Sequence, residues 1–203
     1  MSEQLGVWNS LINGPRAQDA LRTAMWRVAC GLSNMVGRTV SNGEPRIETV
    51  PLADVPGRAG GPEAEMVGIY LLIERGLRGQ AIVILPLANA LGLADMLMGN
   101  PPGTATYLGQ IERSALAEVG NMTLSYFLNA VAAHAGHVDE LLRPSPPAVM
   151  VDMLGAILNV VVTPVAVVRD DLVIIETELN DARNTMQARF WVLPDPTIQG
   201  LVA

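Results

Sequence analysis

The sequence predicts an α/β domain of the α+β kind: two long helices packed on a mostly antiparallel sheet, built twice about a pseudo-twofold axis, with shorter helices added. Three observations carry this. Helical apolar periodicity appears twice, near residues 18–40 and 111–135. Each periodic stretch is followed by a proline and then by hairpin-like apolar runs. The two copies also share an offset, because Asp19 to Glu118 and Pro45 to Pro144 are both separated by 99 residues. Chance amphipathicity would account for one stripe; the repeated proline offset favours duplication. One domain over residues 1–203 is expected, with halves of about 1–105 and 106–203.

In "QDALRTAMWRVACGLSNMVGRTV", Leu21, Met25, Val28, Leu32 and Met35 fall on one helical stripe. The Pro/Gly-rich stretch "GEPRIETVPLADVPGRAGGPEAE" reads as a loop region holding one short strand, "RIETVPL". "MVGIYLLIERGLRGQAIVILP" reads as two strands around a turn at "RGLRG", and "LANALGLADMLMG" as a helix. The second periodic stretch lines up Leu116, Val119, Thr123, Phe127 and Ala130. "VVRDDLVIIETELND" and "MQARFWVLP" repeat the hairpin. The strands ending in Leu-Pro close at Pro86 and Pro194, 108 apart, so the second half is nine residues longer. The extra length is assigned to a further helix inserted within "PSPPAVMVDMLGAILNVVV".

Composition narrows the function classes. Net charge is −7, which argues against nucleic acid and anionic membrane surfaces as partners. No apolar run approaches the roughly 20 residues that a membrane helix needs. The N-terminal "MSEQLGVWNS" lacks the basic start and apolar core of a signal peptide. The one cysteine, Cys30, excludes an internal disulfide and reads as a small apolar filler. A soluble cytoplasmic protein is expected. There is no P-loop and no dinucleotide fingerprint. His134 and His137 stand three apart, a spacing open to a metal but better read as a solvated helix end. No metal site is expected.

Ser114, Glu118, Asn121 and Ser125 fall opposite the second apolar stripe, at i, i+4, i+7 and i+11. Gly120 between the pair costs about 1 kcal/mol relative to alanine in a helix interior, and reads as clearance for an approaching partner. An outward polar row is also what any solvated helix shows, so spacing alone leaves both readings open.

The spacing Ser114-x3-Glu118-x2-Asn121-x22-Pro144 resembles the signature of the CheC-type chemotaxis phosphatases, the CheC/CheX/FliY group. The resemblance extends over nearly the whole chain and covers the repeat, the strand ending at Pro86 and the final "FWVLP". It implies a hydrolase acting on the aspartyl phosphate of the response regulator CheY. In that reading Asn121 orients the attacking water, Glu118 pairs with the regulator's active-site lysine, and Ser114, which reads as a cap or support of the helix start, Gly120 and Pro144 support them. The protein needs no cofactor of its own; Mg²⁺ comes with the phosphorylated regulator. Many relatives carry two such sites. Here the first half has Pro15, Asp19 and Arg22 at the matching positions, and arginine cannot accept a hydrogen bond from water, so that site is expected to be dead. Trp26 one turn on faces outward, packed under a loop or forming a docking face. Ser125 stands where relatives often have glycine. "VDMLGAILN", with Asp152, Met153, Gly155 and Ala156, resembles the helix by which CheC proteins bind the deamidase CheD, and CheX-type relatives lack it. An alternative reading is thus a weakly catalytic or non-catalytic binding module regulating CheD; a FliY-like switch component is a third.

Overall fold

Both periodic stretches fold as helices. The computed structural model describes residues 2–74, 77–135, 142–183 and 185–197. Helix α1 spans Ser2–Asn13 and α2 spans Ala17–Val36. The predicted stripe of α2 is buried at Leu21, Met25, Val28 and Leu32 and half-buried at Met35. Gly37, at φ 66°, closes it in the left-handed conformation that glycine adopts without a Cβ penalty. Helix α1 was not expected. It is set off from α2 at Gly14-Pro15, and its fully buried Trp8 donates from Nε1 to the Arg78 carbonyl at 2.9 Å.

The strands are β1 (Val40–Asn42), β2 (Arg46–Pro51), β3 (Glu65–Ile73), β4 (Gly79–Pro86), β5 (Ala148–Met153), β6 (Asp171–Asp181) and β7 (Gln187–Pro194). They form one sheet in the order β1-β6-β7-β4-β3-β5, with β2 also paired to β6, and every pairing is antiparallel. The predicted hairpins are β3–β4 and β6–β7, and they meet at the central β4–β7 pair, where Ile82 faces Trp191. The remaining strands cross over. β2 of the first half pairs with β6 of the second, and β5 of the second half pairs with β3 of the first. Pro45 and Pro144 stand just upstream of these two exchanged strands, which gives the shared offset its structural meaning.

Helices α1, α2, α4 (Leu87–Met98) and α5 (Gln110–Ala135) bury one sheet face, against Val67, Ile69, Leu71, Val83 and Phe190 among others. The short α3 (Val55–Arg58) and the longer α6 (Leu154–Ala166) cover the other, against Ile82, Ile84, Ile174, Trp191 and Leu193. With both faces covered, β3, β4 and β7 read as nearly continuous apolar runs rather than as alternating ones.

Two expectations need correction here. Helix α6 is not an insertion without a counterpart: a 3-10 turn at Leu52–Asp54 and α3 hold its place after β2. The second half is longer partly because α6 has 13 residues where α3 has 4. Asp152 and Met153, expected on that helix, end β5 instead, opposite Met66 and Glu65. The helix starts only at Leu154, because the ladder with β3 holds the "VDM" backbone extended. Among the described residues no helix is long and apolar enough to cross a membrane.

Candidate functional site

Helix α5 is buried along an unusually wide arc. It packs on β3 and against α2, and Leu116, Val119, Thr123 and Phe127 are all fully buried. Phe127 meets Phe190 of the central sheet edge to face, with ring centroids 5.8 Å apart. The packing with α2 is close: a Cβ at Gly31 would lie 2.0 Å from Cε2 of Tyr126. A helix seated this firmly presents its outer row with little freedom to move. On that row Ser114 and Glu118 are exposed, and Asn121 and Ser125 are half-buried. Three residues along a helix place Glu118 and Asn121 about 4.5 Å apart in height and about 60° apart in direction. Among the described residues, neither side chain has a hydrogen-bond or ion-pair partner. A carboxylate that accepts and a carboxamide that both accepts and donates thus stand side by side with their valences open.

Two of the predicted supporting roles change. Gly120 is buried, and an added Cβ would come within 2.4 Å of Ile69 Cγ2 and 3.3 Å of Leu71 Cδ1. Its clearance serves β3 inside the protein and not a partner outside. The predicted stripe was centred too far to one side, since contact with both the sheet and α2 widens the buried arc past Gly120, about 100° round from Val119. Ser114 does not cap α5, which begins at Gln110; it lies within the helix one turn before Glu118. Pro144 sits on another element, bridged to Ile73. Next to it, the Ser145 amide donates to the Leu72 carbonyl at 2.9 Å.

The matching face of α2 is arranged differently. Arg22 donates from Nε to Glu44 Oε1 at 2.7 Å, and its NH1 lies 3.6 Å from Asp19 Oδ1. Gln18 Nε2 donates to the same Glu44 oxygen at 2.7 Å and to the Pro45 carbonyl at 3.0 Å. The Gln18 amide, then Arg22, hold the Glu44 carboxyl below its usual pKa. The groups on this face are thus tied to the segment before β2, and the basic side chain at the asparagine position can only donate. Trp26 lies one turn further and is 60% exposed, so it is not packed under a loop.

The other candidates are dispersed. Asp152 and Met153 are exposed, and Asp152 Oδ1 accepts from the Met153 amide at 2.7 Å. Cys30 is half-buried and His134 is exposed, while His137 lies outside the described residues. Among the described residues, no three metal-ligating side chains gather. Sequence reasoning passed over Tyr107 and Ile111, 74% and 69% exposed at the start of α5. Ile111 falls seven residues before Glu118, a heptad step that extends the same row.

No protein-family model matches the chain. The CheY-P phosphatase CheC of Bacillus subtilis (strain 168) is 26% identical over 172 residues, covering 82% of this chain and 80% of that one. The chain is thus similar to the CheC/CheX/FliY-like group of chemotaxis proteins. Its fold is that of Thermotoga maritima FliY, with a TM-score of 0.68 at 19% identity over 89% of this chain and 88% of that one. CheX from Desulfovibrio desulfuricans gives a TM-score of 0.54 at 14% identity over 86% of this chain and 99% of that one. At such identities the likeness establishes the CheC-like fold, and activity has to be argued from the site.

Proposed function

We propose that this CheC-like chain hydrolyses the aspartyl phosphate of a CheY-type response regulator, with one working site on α5. The observation that carries this reading is the contrast between the two halves. Glu118 and Asn121 are outward, without partners among the described residues, and mounted on a helix anchored in the core, whereas Arg22 is engaged by Glu44. Hydrolysis of an acyl phosphate asks little covalent chemistry of the protein and much positioning. Asn121 Oδ1 accepts a hydrogen bond from a water and aims it at phosphorus in line with the leaving aspartate. The new bond joins water oxygen to phosphorus, the bond from phosphorus to the aspartyl oxygen breaks, and the regulator's carboxylate and inorganic phosphate leave. Asn121 takes up no proton. Glu118 pairs with the regulator's lysine, and the regulator carries its own Mg²⁺.

The test follows phosphate release from phosphorylated CheY with wild type and Asn121→Ala. Loss of the positioned water predicts a fall of about a hundredfold in turnover. Wild-type release no faster than the regulator's own decay, or an unaffected Asn121→Ala variant, would sink the proposal.

A second reading, in which the protein binds a CheD-type deamidase, draws on one surface feature. Met153 is 58% exposed beside exposed Asp152, at the end of an edge strand. Co-purification with CheD, compared between wild type and Asp152→Lys, decides it; equal capture by both would exclude this surface.

A further inference from the structure

We propose that Tyr107 and Ile111, at the start of α5, form an apolar ledge on which the phosphorylated regulator docks. This rests on the phosphatase reading. The first observation is exposure in an ordered setting. Tyr107 and Ile111 are among the most exposed large apolar side chains, yet their backbone is fastened. Buried Asp95 accepts from the amides of Gly103, Thr104 and Ala105 at 2.8, 3.0 and 2.9 Å, fixing the approach to the helix. Arg113 donates from Nε to the Leu108 carbonyl at 3.0 Å and from NH1 to the Val149 carbonyl at 3.2 Å. The Tyr107 ring lies against Gly109, where a Cβ would stand 3.1 Å from its Cε2. Aromatic and aliphatic groups held ready in this way lose little entropy on binding.

The second observation is the repeat. At the same offset of 99 residues, Tyr107 and Ile111 correspond to Trp8 and Ile12. Those two are buried, because the chain breaks at Gly14-Pro15 and α1 folds into the core. Apolar groups at these positions therefore stay outside in the half that keeps the Glu–Asn pair, and turn inward in the half that has lost it.

The third is the footprint. Ile111 lies ten residues before Asn121 on one row, about 15 Å along the helix. A standard interface of about 800 Å² per partner has a radius of about 16 Å. A folded regulator that brings its phosphoryl group to Asn121 therefore covers Ile111, whereas a small phosphorylated molecule would not.

The experiment measures phosphate release against the concentration of phosphorylated CheY for wild type, Tyr107→Ser, Ile111→Ser, Ile111→Val and Asn121→Ala. Both serine variants change exposed side chains, and their melting is checked against wild type. The ledge predicts a KM about tenfold higher in each serine variant with kcat within about twofold, and recovery in Ile111→Val. Exposed Val167, after α6, is the control: Val167→Ser leaves KM unchanged. If Asn121→Ala loses turnover while the serine variants keep the wild-type KM, the ledge is overturned and the phosphatase site stands. If Asn121→Ala also behaves as wild type, the phosphatase reading falls and takes the ledge with it.

Discussion

Replacing Gly120 by alanine separates two roles for that glycine. Helix propensity alone would stabilise α5 by about 1 kcal/mol. Packing opposes this. The new Cβ would meet Ile69 Cγ2 at 2.4 Å, well inside the 3.5–4.0 Å at which carbon atoms attract. Ile69 has no room to retreat, because β3 is paired with β4 on one side and β5 on the other. The methyl it presents is also on a β-branched carbon with a stiff χ1. Overpacking of this kind costs about 3 kcal/mol at its upper end, so Gly120→Ala should be net destabilising by about 2 kcal/mol. For a chain of this size that lowers Tm by about 4–8 °C. Thermal unfolding reads the stability, and phosphate release from phosphorylated CheY well below Tm reads the site. Since the new methyl points into the protein, turnover of the folded variant should stay within about threefold of wild type. A variant of unchanged or raised Tm that has lost turnover would refute the packing argument and restore the partner-clearance role.

Asp95→Ala should cost about 3 kcal/mol in urea unfolding, since it removes an acceptor shared by three backbone amides; a loss under 1 kcal/mol would mean that water replaces the carboxylate. Arg22→Ala should leave phosphate release unchanged, and a large loss would put the working site in the wrong half. Glu44 has a folded pKa below its unfolded value near 4.5. Its contribution to stability is therefore fully present above about pH 4.5 and is lost as pH falls through the lower folded value. The difference between wild type and Glu44→Gln should accordingly shrink on acidification below pH 4.5, and a difference that grew there would reverse the sign of this linkage.

Local rules determined much of this protein. The periodicity of α2 and α5, the two Leu-Pro hairpins and the proline offset all follow from side-chain spacing, and spacing also placed Glu118 and Asn121 on one outward row. Tertiary contacts decided the rest. Gly120 faces inward because α5 touches both a sheet and a second helix, and no one-dimensional pattern says how wide a buried arc will be. Asp152 and Met153 are in a strand because Met66 and Glu65 of β3, far earlier in the chain, offer them a ladder. Arg22 is engaged because the fold brings Glu44 beside it. Trp8 is buried and Tyr107 is not, although they stand at equivalent places in the repeat. In the first half that segment is helix α1, folded back on the core, whereas in the second Tyr107 lies in the non-helical approach to α5.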